Sequence, residues 1–322
     1  MFVAESPYGY RPQLGFAVAA LVLFAVAGCL HLIQAQRYRY RSFGAAMSLA
    51  CALETMAYAA RIQASVRPAS VPAYAIETVC TLVAGTVVLV ALGLVAGHAV
   101  VVYGVRYSHL RAQTLPRLLA ALTPLLAIEV AVGGGLAAVV FGRSPGLARA
   151  LEPPAVTAGR LVAAQALATN AGIVFFLAGW AVECHFRVRA DAAVNPAGWA
   201  TRAAELFESW FDWAHDGGTS VADLTETTDA LAAISVSALT ARTLVAAAAA
   251  AALTMARALY QLASLLQAWG GDLTSEVFEM TLEALVVAVA VWLVLFWPPG
   301  AVFGDIDFGL AERTVRREPA AG

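Results

Sequence analysis

The sequence contains no lysine and little charge of either sign. Charged residues make up 13% of its 322 residues, whereas a soluble domain usually has about 25%. The basic residues other than histidine are all arginines, and they lie scattered between apolar runs rather than along one basic stripe. The pattern therefore predicts no nucleic-acid partner, and the formal net charge of -2 is uninformative about other partners.

Motifs for catalysis and metal binding are also missing. The five histidines show no HxxxH or HExxH spacing, and no GxSxG or Walker sequence occurs. These absences disfavour an intramembrane zinc hydrolase and an ATP-driven pump. We therefore expect no enzymatic activity, no metal and no cofactor.

Cysteine is scarce, and its spacing carries no motif. The four cysteines lie inside or at the edge of apolar runs, without a CxxC pair: Cys29, Cys51, Cys80 and Cys184. This placement favours small buried side chains, with a disulfide framework or a metal site as the alternative.

What the sequence has in abundance is long apolar runs. Hydrophobic residues reach 61%, and seven runs have the ~20 residues that a helix needs to cross a bilayer. The runs are Leu14–Gln34, Phe43–Ala64, Tyr74–Tyr103, Leu115–Phe141, Gly159–Phe186, Leu239–Gln267 and Val277–Phe303. They predict an all-α membrane protein, a seven-transmembrane helix bundle over residues 14–303. A lipoprotein cleavage box at Val26–Cys29 is the alternative for run one, but the segment before it has no net positive charge, so we keep the run as a helix.

The distribution of arginine predicts the orientation of the bundle. Arginines crowd the loops after runs one and three, the exit of run five and the C-terminal tail. These stretches share one side if the helices alternate, and the arginine-rich side is expected to be cytoplasmic. Residues 1–13 are then an extracellular N-terminus, and residues 304–322 are a cytoplasmic tail.

The cytoplasmic loop 187–238 is the one sizeable segment outside the apolar runs. Within Trp199–Ala214, Leu206, Trp210 and Trp213 recur at helical spacing against acidic residues. This pattern predicts a short amphipathic helix. It lies under the bundle or, alternatively, binds a partner.

Ionisable residues inside the apolar runs are the candidate functional residues, because each costs roughly 2.5–3.5 kcal/mol at the bilayer centre. Glu54, Tyr58 and Arg61 share one face of run two, and Glu276, Glu279 and Glu283 share one face of run seven. Such residues form structural pairs between helices, line a lipid or solute pathway, or act in catalysis; the spacing alone leaves these alternatives open.

Pairing can be predicted from distance along the helix axis. Glu54 and Arg61 are roughly 10.5 Å apart along run two, too far for a direct ion pair, although the Tyr58 hydroxyl can bridge between them. Arg257 in run six is the natural partner for Glu54, and an acid of run seven could serve Arg61. In run four, Gly133–Gly135 predicts close helix packing, with a broken helix that lines a cavity as the alternative.

Short motifs recur in a fixed order along the chain. Tyr8–Pro12 reads Tyr-Gly-Tyr-Arg-Pro just before run one, and Glu54–Arg61 carries Glu, Tyr and Arg at spacings of four and three. The later members of the series are Tyr74 and Glu77 in run three, Arg257 and Tyr260 in run six, Glu276 before run seven, Glu283 within it, and Pro299-Gly300 at its end.

In these motifs the chain resembles the fungal RTA-like seven-helix proteins, described as lipid-translocating exporters. It departs from their pattern at Glu77, where the family has Gln, at Gln261 and Ser264, where it has Arg and Glu, and at Glu283, where it has Asp. The chain therefore looks like a divergent member.

The resemblance implies a protein that moves or exports lipid-like amphiphiles, phospholipid or long-chain base, and is linked to resistance to toxic amphiphiles. Its partners would be membrane lipids and a lipid-like substrate, and its location the plasma membrane or an endomembrane. The substrate-pathway or buried polar network would consist of Glu54, Tyr58, Arg61, Glu77, Arg257, Tyr260, Glu276 and Glu283.

Two other functions fit the same topology. One is a seven-helix receptor-like sensor of a lipid or small molecule, although the Asp-Arg-Tyr and Asn-Pro-x-x-Tyr signatures common in receptors are absent. The other is a structural membrane scaffold in which the charge pairs only fix packing. The oligomeric state is left open.

Overall fold

The structure, a computed structural model, describes residues 12–103, 114–143, 154–194, 226–266 and 279–300. These form seven helical segments. They are α1 Leu14–Arg37, α2 Arg41–Val66, α3 Val71–Tyr103, α4 Thr114–Arg143, α5 Pro154–Val194, α6 Glu226–Leu266, and a π-helical segment Glu279–Leu285 that leads into α7 Val286–Phe296. The predicted bundle of seven helices is confirmed.

Each helix packs against the next one in the chain, and α1 also contacts α7. Helix α3 additionally contacts α5 and α6. It is the most enclosed of the long apolar helices, since 67% of its span is buried against 33% for α1. The bundle is therefore built around α3, and its main core includes Phe24, Met47, Leu89 and Val291.

Several helices are longer than the apolar runs that predicted them. Helix α5 continues to Val194 and α6 begins at Glu226, so both ends of the predicted loop 187–238 are helical. Hydropathy marks the part of a helix inside the hydrocarbon, whereas backbone hydrogen bonding continues beyond it. The predicted amphipathic helix Trp199–Ala214 lies outside the described residues, as do residues 1–11 and 301–322.

The α1–α2 turn is closed by aromatic side chains at one end of the bundle. Tyr40, in this turn, shares a hydrogen bond of 2.8 Å with Nδ1 of His98 on α3, and its ring stacks on Phe43. Burial raises the pKa of the Tyr40 phenol well above its usual value, so the hydroxyl keeps its proton. A Cβ at Gly300 would lie 2.8 Å from Cβ of Tyr38, so the end of the described chain packs closely on the same turn.

The three glycines of α4 act in packing. Helix α4 runs without interruption from Thr114 to Arg143, so the alternative of a helix broken at Gly133–Gly135 is wrong. A Cβ at Gly133 would lie 2.6 Å from the Gly159 carbonyl oxygen of α5, and one at Gly134 would lie 2.6 Å from Leu82 of α3. The missing side chains let α4 approach both neighbours.

Candidate functional site

Arg257 on α6 lies at the centre of a buried polar network. Its side chain is 1% exposed. Nη1 is 2.6 Å from Oε1 of Glu54 on α2, and Nη2 donates to the Thr81 carbonyl of α3 at 2.9 Å. Because a buried guanidinium needs acidic or carbonyl partners, this arrangement ties α6 to α2 and α3. The expected pairing of Glu54 with Arg257 is confirmed.

Glu283 brings the seventh helical segment into the same network. Its Oε1 accepts a hydrogen bond of 2.7 Å from Nε2 of Gln261 and lies 3.6 Å from Nη2 of Arg257. Gln261 and Arg257 are one turn apart on α6, so they present their donors on the same face. Glu283 belongs to the π-helical segment, and such wide turns are frequent at functional sites.

Arg61 and Glu77 form a second buried pair, between α2 and α3. Nη1 of Arg61 is 2.6 Å from Oε1 of Glu77, and the two side chains are 1% and 7% exposed. The expectation that an acid of run seven serves Arg61 is therefore wrong as regards Glu283, which faces Arg257 and Gln261 instead. Thr81 lies one turn after Glu77 and donates its hydroxyl to the Glu77 carbonyl at 2.8 Å, so both pairs meet on α3.

Three predicted site residues remain to be placed, namely Tyr58, Tyr260 and Glu276. Tyr58 is buried, stacks on Phe24 with ring centroids 5.7 Å apart, and meets Phe16 edge to face. Tyr260 is half-buried on α6. Glu276 lies outside the described residues.

A narrow pocket between α3, α5 and α6 adjoins Arg257. It has room for about one water molecule, and its polar lining consists of Thr86, Asn170, Thr254, Arg257 and Gln261. The Asn170 amide donates to the Thr86 hydroxyl at 3.0 Å, while Oδ1 of Asn170 and Nε of Arg257 have no hydrogen-bond partner among the described residues. The residues that line this pocket therefore include one acceptor atom, Oδ1 of Asn170, and one donor atom, Nε of Arg257, that form no hydrogen bond with the described residues.

Comparison with known protein families assigns the chain to one of them. The family model described as RTA1 like protein matches residues 47–306, which include every described helix except α1 and the start of α2. The chain belongs to the RTA1-like protein family. It is thus an integral membrane protein of that family. No curated protein and no solved structure matched the chain.

Some network residues of this RTA1-like protein were not singled out from its sequence. Thr81, Thr86 and Asn170 are uncharged, so the criterion of an ionisable residue inside an apolar run does not select them. Asn170 carried a usable signal, since it is an amide in the middle of the apolar span Thr157–Leu177. Gln261 carried another, because it follows Arg257 by one helical turn.

Within the described residues, no group of three or more His, Cys, Asp or Glu side chains is arranged to hold a metal ion. The cysteines of the RTA1-like chain that are described, Cys29, Cys51 and Cys80, are free thiols.

Proposed function

We propose that this RTA1-like protein moves a lipid-like amphiphile, a phospholipid or a long-chain base, between the leaflets of its membrane. In the cell this activity would protect against toxic amphiphiles. The plasma membrane is the proposed location, with an endomembrane as the alternative. The lipid is moved without chemical conversion.

The observation that carries the proposal is the charged network inside the bundle. Glu54, Arg257 and Glu283 join three helical segments within the membrane-spanning part of the chain. Ionisable groups at this depth usually mark a pathway for a polar group. A lipid head group needs such partners, because it leaves water when it crosses the bilayer.

The pocket beside Arg257 gives the head group a point of entry into the network. Its leftover donor and acceptor, Nε of Arg257 and Oδ1 of Asn170, would bind polar groups of the substrate. The pocket is too small for a head group in this conformation. Movement therefore requires α5 and α6 to separate next to Arg257, which supports a mechanism with closed and open states.

The test is lipid movement by the purified protein in liposomes. Fluorescent phospholipid or sphingoid base is placed in both leaflets, the outer leaflet is bleached chemically, and the loss of the inner pool is followed. We expect faster loss than in empty liposomes. We also expect the double variant Glu54→Gln, Arg257→Met to be slow.

The control variant is Glu183→Gln, which removes an exposed carboxylate paired with Arg187 one turn away. It should move lipid as fast as the original chain. Movement no faster than in empty liposomes, for several phospholipids and bases, would contradict the proposal and favour the receptor or scaffold alternatives. Full activity in the folded double variant would show that the pair is structural only.

A further inference from the structure

One patch on the outer surface of the bundle differs from the rest of the lipid-facing surface. Glu129, in the middle of α4, is exposed, and so are Gln165 and Thr169 of α5. Elsewhere at this depth the described exposed side chains are apolar or small, for example Val22 and Val26 on α1, Met56 on α2 and Leu259 on α6. We refer to Glu129, Gln165 and Thr169 as the outer patch.

The members of the outer patch lie at about the same level of the bundle. Gly133 packs against Gly159 and Ala163 of α5, and Leu126 and Val130 share a core cluster with Ala163 and Leu167. Glu129 is one turn before Gly133, and α4 and α5 are antiparallel neighbours. Its level is therefore that of Ala163–Leu167, which includes Gln165, and Thr169 is one turn further along α5.

Among the described residues, none forms an ion pair or a hydrogen bond with the carboxylate of Glu129. A carboxylate that faces lipid near the bilayer centre is costly, and such residues almost always face protein or water instead. Some occupant outside this bundle is therefore needed to cover it.

The extent of the outer patch decides between a lipid head group and protein as that occupant. On α5 the exposed residues that follow are Gly172, Phe175, Phe176 and Gly179, and those in the turn before Gln165 are Leu161 and Val162. A head group that crossed along this face would lose its polar partners within two turns on either side. The Thr169 hydroxyl donates to the Gln165 carbonyl at 2.9 Å, so the polar groups left to be covered on this face are the Glu129 carboxylate and the Gln165 amide. Isolated carboxylate and amide groups among apolar ones are instead typical of helix–helix contacts in membranes.

We propose that the outer patch is the interface between two copies of this chain. It is self-complementary, since Glu129 supplies an acceptor and the Gln165 amide supplies a donor, so a twofold axis can pair each with the other residue of the second copy. Small exposed residues beside it, Ala168 and Gly172, let the helices approach closely. Leu125 and Ile128 of α4, which are 59% and 60% exposed, would surround the polar contact.

The test is cross-linking of purified protein in liposomes. In a cysteine-free chain, Ile128→Cys is compared with Val22→Cys, which is 51% exposed in the middle of α1 and serves as the control. We expect oxidation to link Ile128→Cys into a dimer at least tenfold faster than Val22→Cys. Equal rates at the two positions would overturn the proposal.

A second comparison tests the polar groups themselves. Adding Glu129→Leu and Gln165→Leu should leave the protein folded, because it removes polar groups from a lipid-facing surface, and should abolish fast cross-linking at Ile128→Cys. Unchanged cross-linking would show that the outer patch does not hold the copies together. A different result is that both the original chain and this variant are monomeric, and that only the variant has lost lipid movement. The outer patch would then be a substrate contact instead. Neither cross-linking measurement requires the proposed transport to be correct.

Discussion

Arg257 is bound from three directions, by Glu54 of α2, by the Thr81 carbonyl of α3 and by Glu283 ahead of α7. Removing one partner of a buried pair leaves the other charge without compensation, at about 3–5 kcal/mol. We expect Glu54→Gln and Arg257→Met each to lower the thermal unfolding temperature in detergent. The double variant should recover part of the loss, and Glu283 limits the recovery because it loses the charge of Arg257. Single effects that simply add would show that the two residues are not coupled.

A second prediction at the residue scale compares one chemical change at two depths. Glu77→Gln removes the charge that faces Arg61, where both side chains are almost fully buried, and should destabilise the protein by about 3–5 kcal/mol. Glu183→Gln makes the same change where the paired side chains are 40% and 45% exposed, and should cost below about 1 kcal/mol. Thermal unfolding of both variants in the same detergent measures the difference. Equal losses would mean that burial does not set the strength of these pairs.

The pair of Arg61 and Glu77 shows a signal that the position of the α2–α3 connection carries in the sequence. Helices α2 and α3 form an antiparallel hairpin whose connection is residues 67–70, and positions 61 and 77 are nearly equally distant from its centre. Residues placed in this way face each other at the same depth, so the partner of Arg61 could be found from loop position alone. For Glu283, the prediction of a run-seven acid beside Arg61 is wrong. Glu276 and the side chain of Glu279 lie outside the described part of the chain, so for these two acids it stays a prediction.

The pocket was harder to predict for a different reason. Threonine in a membrane helix can satisfy its own hydroxyl, as Thr81 and Thr254 do with carbonyls one turn back. Its presence in an apolar run therefore does not indicate a site. Asn170 cannot be satisfied in this way so easily, and its position opposite Thr86 depends on how α3 and α5 pack, which hydropathy does not specify.

At the scale of elements, the number and order of helices followed from the apolar runs because a bilayer selects for length and polarity. Packing depends on finer detail, and Gly133 is a clear case. A Cβ there would lie 2.6 Å from the Gly159 carbonyl oxygen and 2.8 Å from the Ala163 nitrogen. Both are backbone atoms, so the helices α4 and α5 would have to separate.

We therefore expect Gly133→Ala to destabilise the protein by about 1–3 kcal/mol through overpacking. Gly179→Ala is the matched control, because a Cβ at this position of α5 meets nothing within 4 Å. Alanine there should be neutral or should stabilise by about 0.5–1 kcal/mol, since glycine loses more backbone freedom on folding. The measurement is the thermal unfolding temperature of the two variants in the same detergent. A loss at Gly179 as large as that at Gly133 would mean that helix propensity, rather than close approach, explains both.

At the scale of the whole molecule, the orientation in the membrane is a property that helix packing does not determine. The same bundle, with α3 inside and α1 against α7, can in principle be inserted with either end outward. Orientation is set instead by the arginines at the ends of the helices and in the connections between them. One such stretch is Arg37–Arg41, which joins the end of α1 to the start of α2. The prediction that the N-terminus is outside therefore still depends on the sequence.

Epitope tags test that prediction directly. A tag at residue 2 and one in the 143–152 connection should be labelled by antibody on intact cells, whereas a tag after residue 315 should be labelled only after permeabilisation. The physical reason is that the tail carries Arg313, Arg316 and Arg317, and positive charge close to a membrane helix is retained on the cytoplasmic side. Each tagged chain is first checked for the unfolding temperature of the untagged protein, so that labelling reports a folded bundle. Labelling of the C-terminal tag on intact cells would require either the opposite orientation, with the arginine-rich connections facing outward, or an even number of crossings.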